Sequence, residues 1–492
     1  MRQPHNIFKL RHAFAAAGCA TLIAGCAAGP DYARPNAALP TAYTAGASEP
    51  PPSAGGADDA QRFDAALDIP AQWWQLFHSA ALNQLIEASL QHNPTVEAAQ
   101  AALRSARENV DAQQGAFYPT VDASYAPTRQ KVAGTLASPL ASNAYYYNLH
   151  TAQVTVSYVP DLFGANRRQV ESLQAQAESQ RYQIEATSLT LTANVANAAI
   201  EYAMLDAQIA ATREMVGAQT TLLTMARRQL ALGQVAQADV ATQEAALAAS
   251  EVALPALQKQ LAVQRNLLTA LAGRYPGDGT APSFDLDALQ LPATLPLTLP
   301  ASLVEHRPDV RAAEAELQAA SAQVGVAAAN RLPNITLGVN AWGSSASTLG
   351  ELFKSGTGFW SLAASVAQPV FDGGALKHRQ GAAQAAYEQA AAQYRGTVIT
   401  AFQNVADALN AIEYDAVALR AATSGERAAA KSLGIGKRQL ALGDISPMAL
   451  LASEQASQQA RFNLAQARAN RLADTVALFQ ALGGGWWNRG GG

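Results

Sequence analysis

The sequence predicts a mixed α/β fold made of two tandem copies of one unit, and each copy runs helix, strand, strand, long helix, shorter helix. The first observation is that His92-Asn93-Pro94 recurs 214 residues later as His306-Arg307-Pro308. The second is that the stretch Arg-Gln-Leu-Ala-Leu-Gly at 228–233 recurs unchanged 210 residues later at 438–443. Two matches at nearly the same spacing indicate a tandem duplication.

Residues 1–25 have the pattern of a bacterial lipoprotein signal peptide. Basic residues precede an apolar stretch, and Ile23-Ala24-Gly25 leads into Cys26. Cys26 is therefore the predicted lipidation site, which would carry a thioether-linked diacylglycerol and an N-acyl chain. Cys19 competes for this assignment, but Ala16 stands three residues before it, where a larger aliphatic side chain is expected.

The mature chain is expected to begin with a lipidated tether over residues 26–70. Between Asn36 and Asp58 the tether lacks the large apolar residues that a packed core needs. Ala27 stands where an aspartate would favour retention in the inner membrane, so we expect sorting to the outer membrane of a Gram-negative bacterium. Loss of Cys19 with the signal peptide would leave one cysteine and no internal disulfide.

Repeat 1 is assigned to residues 71–275. Its first helix opens at Pro94, a residue favoured in the first helical turn. Alternation of apolar and polar residues around Val156 predicts a strand. Apolar residues spaced by seven then predict two helices that pack as an antiparallel coiled coil about Gly233. The predicted elements are strands at about 119–130 and 146–160 and a long hairpin at about 165–272.

Repeat 2 is assigned to residues 301–484, after a Pro-rich linker at 276–300. The prolines of the linker are incompatible with a continuous helix or a central strand. Repeat 2 is followed by a Gly-rich tail at 485–492. Its predicted elements are strands at about 333–343 and 358–371 and a long hairpin at about 375–482.

Composition and strand number indicate how such a chain could meet a membrane. The chain is 15% charged with a formal net charge of −4, which indicates no nucleic-acid partner. After the signal peptide no stretch approaches about 18 uninterrupted apolar residues, so a membrane crossing would have to use strands. Four strands leave two open edges in a bilayer, and three chains would close about twelve strands around an aqueous lumen, which favours a homotrimer.

Short motifs spread over the mature chain carry a family resemblance. They are Gly29-Pro30-Asp31-Tyr32 with Arg34-Pro35, Trp73-Trp74-Gln75-Leu76-Phe77, Leu162-Phe163-Gly164, Arg307-Pro308-Asp309-Val310 with Ala313-Glu314, and Phe371-Asp372-Gly373-Gly374. Together they resemble the NodT/OprM-type outer-membrane factors, which are lipoproteins of the TolC-like efflux ducts. The resemblance implies a trimeric twelve-stranded barrel in outer-membrane lipid that continues into a periplasmic helical coiled-coil barrel. It also implies a periplasmic adaptor and an inner-membrane pump as partners.

In that family the hairpin turns form the periplasmic tip, where adaptor docking and the closed aperture are found. Each candidate has an alternative explanation: the glycines are expected as left-handed helix caps, and the arginines suit the negative end of a helix dipole. Glu454 is a third acidic candidate beside Asp239 and Asp444, because Ala452 follows Leu450-Leu451 where relatives carry an aspartate. The candidates are Gly233, Val235, Asp239, Gly443, Asp444, Ile445, Met448, Glu454, Arg228 and Arg438.

No motif in the sequence indicates an enzyme, a cofactor or a metal centre. The histidines show no ligand spacing with each other or with cysteine, and no phosphate loop or nucleophile elbow is present. The predicted function is a passive, gated outer-membrane duct that exports drugs or small toxic compounds. Two alternatives stay open, namely the exit duct of a type I-like protein secretion system and a lipid-anchored periplasmic coiled-coil scaffold. The sequence identifies neither the exported compound nor the class of pump.

Cys26→Ser is expected to abolish incorporation of radiolabelled palmitate while some protein still reaches the outer membrane, because the serine hydroxyl cannot form the thioether. The measurement is autoradiography of the immunoprecipitated protein, with Cys19→Ser as the matched control that keeps its label. Continued labelling of the Cys26→Ser protein would contradict the assignment.

Overall fold

The computed structural model describes residues 28–34, 40, 42–43, 61–64, 66–136, 144–278, 283–297 and 300–489. Cys26 and most of the predicted tether lie outside the described residues. In the first half the elements are β1 Arg62–Asp64, α1 Ala80–His92, α2 Pro94–Gln114, β2 Thr120–Lys131, β3 Tyr146–Tyr158, α3 Ala165–Ala231 and α4 Gln237–Leu271. In the second half they are β4 Thr294–Pro296, α5 Pro300–His306, α6 Pro308–Ala329, β5 Asn334–Ala346, β6 Gly358–Ala367, α7 Ala375–Leu442 and α8 Pro447–Ala481.

The long helices follow the heptad pattern of the sequence. In α3 the column that contains Leu205, Thr212 and Gln219 is buried along its length. The helix has no proline, whereas α4 contains Pro255 on its exposed side. Hairpin 1 is formed by α3 and α4, and hairpin 2 by α7 and α8.

Strands β2, β3, β5 and β6 form one antiparallel sheet in that order. The sequence predicted β3 and β6 to end at 160 and 371, but they end at Tyr158 and Ala367. Pro160 and Pro369 follow these ends and lack the N–H that a sheet ladder requires. Large apolar side chains on the edge strands are open to solvent, with Val121 66% and Leu362 73% exposed.

The chain divides into two compact units, and the first contains residues 1–35, 103–179 and 313–393. In this unit the segment Ala28–Arg34 is bound to the helices that adjoin the sheet. Gly29 has a φ of +95°, and a Cβ placed there would lie 2.4 Å from the Cα of Gly325. The guanidinium of the buried Arg168 donates to the Asp31 carboxylate at 2.6 Å. Both contacts lie in the Gly-Pro-Asp-Tyr motif, so that motif is a docking segment.

The second unit contains residues 36–102, 180–312 and 394–492. Its core is aromatic: Trp73 is 1% exposed and stacks on Phe479 with ring centroids 5.4 Å apart. Phe77 meets the edge of the same indole at 6.3 Å. The Trp-Trp-Gln-Leu-Phe motif therefore anchors the start of repeat 1 against the end of α8.

The predicted linker and the end of the predicted tether each contain one short strand that the sequence did not predict. β1, from the tether, pairs in parallel with β4, from the linker, with Phe63 opposite Leu295. Leu295 is fully buried, and its burial stabilises this two-stranded sheet. Both strands are three residues long, too short for sequence periodicity to reveal them.

The predicted Gly-rich tail is also packed against the second unit over the residues that the structure describes. Trp486 Nε1 donates to the carbonyl oxygen of His306 at 2.7 Å, and the Trp487 ring stacks on the His306 imidazole at 4.0 Å. Arg489 forms an ion pair with Glu185 at 2.8 Å. Gly483, Gly484 and Gly485 all have positive φ, which lets the chain turn sharply into this site.

Trp73→Ala is expected to lower the free energy of unfolding by about 3–5 kcal/mol, because it removes a fully buried aromatic side chain and leaves a cavity. The measurement is the thermal unfolding midpoint of the detergent-solubilised protein, followed by circular dichroism. Tyr275→Ala is the matched control, since Tyr275 is 80% exposed. Equal midpoints for the two variants would contradict the anchoring function of Trp73.

Candidate functional site

The turns of the two hairpins, which the sequence marked as candidate tips, have the same backbone geometry. Gly233 and Gly443 have φ values of +72° and +83°. The N–H of Gln234 bonds the Gln229 carbonyl, and the N–H of Asp444 bonds the Gln439 carbonyl, each at 2.9 Å. This is a glycine-capped helix end, in which a residue with a left-handed backbone lets the N–H of the next residue bond a carbonyl oxygen of the last helical turns. Only glycine adopts that conformation without strain.

The helices that leave the two turns are capped differently. In hairpin 1 the Asp239 carboxylate accepts from the backbone N–H of Ala236 at 3.1 Å. In hairpin 2 the hydroxyl of Ser446 accepts from the N–H of Ala449 at 3.3 Å. Asp239 is therefore engaged in a cap, and its negative charge also suits the positive end of the helix dipole. Asp444 and Gly443 are exposed at the turn of hairpin 2.

An apolar cluster joins the two hairpins just behind their turns. Leu222 of α3 contacts Leu450 and Leu451 of α8, and all three are at most 5% exposed. Ile445 and Met448, both candidates from the sequence, pack against this cluster. The partly buried members are Ala246, Leu433, Leu440, Ile445 and Met448. A second cluster lies within hairpin 1 and contains Leu223, Ala226 and Val240.

Polar contacts extend the joint between α3 and α8 away from the turns. Arg461 of α8 forms an ion pair with Glu214 of α3. The amide of Gln458, oriented to donate, lies 3.0 Å from the carbonyl oxygen of Ala211. We call the contact of residues 211–222 with residues 450–461 the seam. It is a joint between the two repeats, and pattern analysis of either repeat alone does not reveal it.

Three polar side chains are buried at or beside the seam without full hydrogen bonding. Gln219 is 1% exposed, and neither of its amide atoms has a partner among the described residues. Gln243 is also 1% exposed, and among the described residues its amide hydrogen-bonds only the Met448 sulfur, at 3.7 Å. Glu454 is 7% exposed, and its Oε2 atom has no partner in the described chain. Burial raises the pKa of Glu454, and the nearby positive charge of Lys437 partly offsets this.

The remaining candidates lie on the outside of the tips. Val235 is half-buried, whereas Arg228 and Arg438 are exposed. Within the described residues neither arginine forms an ion pair with an acidic side chain. The sequence assigned Arg438 to the negative end of its helix dipole, but α7 runs on to Leu442, so Arg438 precedes the last turn of that helix. An ion pair not predicted from the sequence joins Arg227 to Glu244 at 2.7 Å in hairpin 1.

Other charged groups in the second unit lie farther along α8 from the tips. Burial and the neighbouring Asp415 carboxyl raise the pKa of Asp474 to about 7. The guanidinium of Arg471 is 2% exposed and donates to the carbonyl oxygen of Ile412. In the part of the chain that the structure describes, no three metal-ligating side chains form a cluster. Among the described helices, none combines the length and apolar character needed to cross a bilayer.

The sequence matches the family model described as outer membrane efflux protein over residues 85–274 and 299–484. One match lies within the predicted repeat 1, and the other spans the predicted repeat 2. The chain is 30% identical over 474 residues to the toluene efflux pump outer membrane protein TtgC of Pseudomonas putida, covering 96% of this chain and 95% of that protein. It is 27% identical over 475 residues to the outer membrane protein OprJ of Pseudomonas aeruginosa, covering 95% and 94%.

Solved structures show the same architecture. The outer-membrane channel OprN superposes with a TM-score of 0.82 at 26% identity, covering 94% of this chain and all of that one. The open state of the Neisseria gonorrhoeae MtrE outer membrane channel superposes with a TM-score of 0.80 at 25% identity. The superposition covers 94% of this chain and 99% of that one. The resemblance seen in the sequence motifs is confirmed. The chain belongs to the outer membrane efflux protein family and is an outer-membrane channel component of an efflux system.

Proposed function

We propose that three copies of this chain assemble into a gated duct with a twelve-stranded barrel in the outer membrane. The observation that supports this proposal is the four-stranded sheet β2-β3-β5-β6, whose two outer strands each have an edge without a strand partner among the described residues. Unpaired backbone groups cost several kcal/mol each in lipid. Two copies would give a barrel of about eight strands, and side chains fill the interior of a barrel of that size. Three copies would give about twelve strands and leave an open lumen.

Aromatic residues at the starts of strands support the orientation of this barrel in the membrane. Tyr145 and Tyr146 lie at the start of β3, and Phe359 and Trp360 lie at the start of β6. Trp360 is 77% exposed on the isolated chain. Tyr and Trp favour the boundary between hydrocarbon and water, where one side of the ring is apolar and the other is wet.

The hairpins would form the periplasmic part of the duct, and their tips would form its gate and the docking surface for a periplasmic adaptor. Leu232 and Leu442 are the last residues before the two turn glycines and are 66% and 77% exposed. Such exposed leucines at equivalent positions suit an apolar contact with a partner. Energy for export would come from an inner-membrane pump.

The cargo that we propose is a class of small organic compounds, including drugs. The similar proteins named for toluene efflux and for pyoverdine export support this class. Export of unfolded protein through the same duct is the alternative. We also propose that lipid on Cys26 anchors the mature chain, since the docking segment begins two residues later at Ala28, whose N–H donates to the Phe163 carbonyl at 3.0 Å.

The purified protein is expected to form ion-conducting pores in planar bilayers and to run as a trimer in analytical ultracentrifugation. In Gln243→Cys/Met448→Cys, a short bis-maleimide linker should join the two hairpins at the tip and lower the conductance. The single-cysteine variants, treated with the same reagent, are the matched controls. Conductance that is absent from every preparation would refute the duct, and conductance unchanged after complete cross-linking would refute the gate.

Asp444→Ala is expected to increase ion leak through the reconstituted pore, because it removes an exposed negative charge from the tip. Asp239→Ala should raise leak and also cost about 0.5–2 kcal/mol of local stability, because it removes the cap at Ala236. The measurements are single-channel current and hydrogen exchange of amides 236–240. Unchanged current in both variants and in the double variant would remove these carboxylates from the gate.

A further inference from the structure

Glu454 lies inside the seam and not on the surface of the tip. Its helix contributes Leu450 one turn before it and Gln458 one turn after it, and both of these contact α3. Residues one turn apart share a helix face, so the Glu454 side chain belongs to the face that packs against the other hairpin. A carboxyl group at such a position is taken out of water, which is costly for its ionised form.

The register of the two helices places Glu454 level with Gln219. Leu222 meets Leu450 and Leu451, and Glu214 meets Arg461, so the antiparallel helices bring residues 217–219 next to residue 454. Both amide atoms of Gln219 and the Oε2 atom of Glu454 are buried without partners among the described residues. Unsatisfied groups on both sides of a joint weaken it, because each has lost water and gained no hydrogen bond.

The duplication provides the counterpart of this carboxylate in another environment. Glu244 is the residue of hairpin 1 that corresponds to Glu454 at the shift of 210, and Arg227 corresponds in the same way to Lys437. Glu244 is exposed and accepts a hydrogen bond from Arg227 at 2.7 Å. These two positions thus form a solvent-exposed ion pair in hairpin 1. In hairpin 2 they hold the exposed Lys437 and the buried Glu454, which form no ion pair among the described residues.

The charged and titratable groups on the elements around Glu454 are few. On α7 the exposed Lys437 lowers the pKa of Glu454. On α8, the helix of Glu454, Arg461 is paired with Glu214 of α3. On α4 Glu244 is paired with Arg227. Gln219 and Gln243 carry no charge. Arg228 and Arg438 are also exposed at the tips, but Lys437 is the cation whose charge acts on Glu454.

We propose that Glu454 is a proton-binding switch that couples closure of the seam between the two hairpins to pH. In the closed seam the carboxyl is neutral and buried beside Gln219. When the seam opens, the side chain ionises and pairs with Lys437, as Glu244 pairs with Arg227. This inference rests on the proposed gating of the duct at the hairpin tips, and it adds the group that senses pH.

The direction of the pH dependence follows from the environment of the carboxyl. Burial raises the pKa of Glu454 in the closed seam above its ordinary value, whereas water and Lys437 hold the pKa at or below that value in the open seam. Closure therefore binds a proton. Acid favours the closed seam, and this preference is lost as the pH rises through the closed-state pKa.

The experiment records open probability in planar bilayers from about pH 5 to about pH 8. Wild-type protein is expected to open about twofold more or better at the alkaline end. Glu454→Gln mimics the neutral carboxyl, so the seam of this variant should stay closed at both ends of the pH range. The increase of open probability with pH should therefore be lost. Glu244→Gln is the matched control and should keep the wild-type profile. A Glu454→Gln profile that matches wild type would overturn the switch.

Lys437→Gln is a second variant that leaves Glu454 in place. It removes the partner of the open seam, so it should reduce opening at about pH 8 and leave opening at about pH 5 unchanged. An unchanged alkaline open probability would overturn the pairing with Lys437. Asp474 is present in every one of these proteins, so its titration cancels in the comparison.

A readout that needs no conduction separates this inference from the proposed function. Ser457 is 4% exposed and follows Glu454 by three residues on α8. Maleimide labelling of Ser457→Cys, corrected by labelling of the exposed Gln459→Cys, should accelerate with pH, and Glu454→Gln should remove this acceleration. If labelling depends on pH in this way but the protein conducts no ions, the result would support the switch and refute the duct. A corrected labelling rate that is independent of pH would overturn the switch in either case.

Discussion

Backbone hydrogen bonding is the constraint on which the rest of this structure depends. One chain contributes a sheet of four strands, and the outer edges of β2 and β6 have no strand partner among the described residues. Water can satisfy such edges and hydrocarbon cannot, so the proposed barrel would pair these edges with other copies of the chain. The exposed valine and leucine side chains of the same strands suit lipid on the outer face. In that proposal, assembly is a condition of insertion.

The duplication explains why one chain contains two hairpins that look alike and behave differently. Both turn at a glycine with positive φ, yet one helix start is capped by Asp239 and the other by Ser446. The pair Arg227–Glu244 stays in solvent, whereas its counterpart in hairpin 2 is split by burial of Glu454. The proposed movement of one hairpin against the other would draw on this difference between them.

Within each unit, segments outside the hairpin turns add stabilising contacts. The docking segment Ala28–Arg34 closes on Gly325 and Arg168, and the tail ends in aromatic contacts at His306. Trp73 and Phe479 join the start of the first repeat to the end of the second. These contacts restrain the ends of the hairpins near the core, while the seam carries unsatisfied polar groups. The proposed gate would therefore open at a joint that carries unsatisfied polar groups.

By itself the sequence determined the family, the tandem duplication and the function as an efflux duct, because these depend on patterns that extend over the whole chain. Spacing by seven around Ile209 and alternation around Val156 reflect local geometry, which a residue's neighbours in the chain determine. Only the tertiary structure decided that Glu454 is buried in the seam while Glu244 is exposed, and that the tail packs on His306. It also revealed the short pairing of β1 with β4. Those features depend on which surfaces meet between segments hundreds of residues apart, and no local period records that.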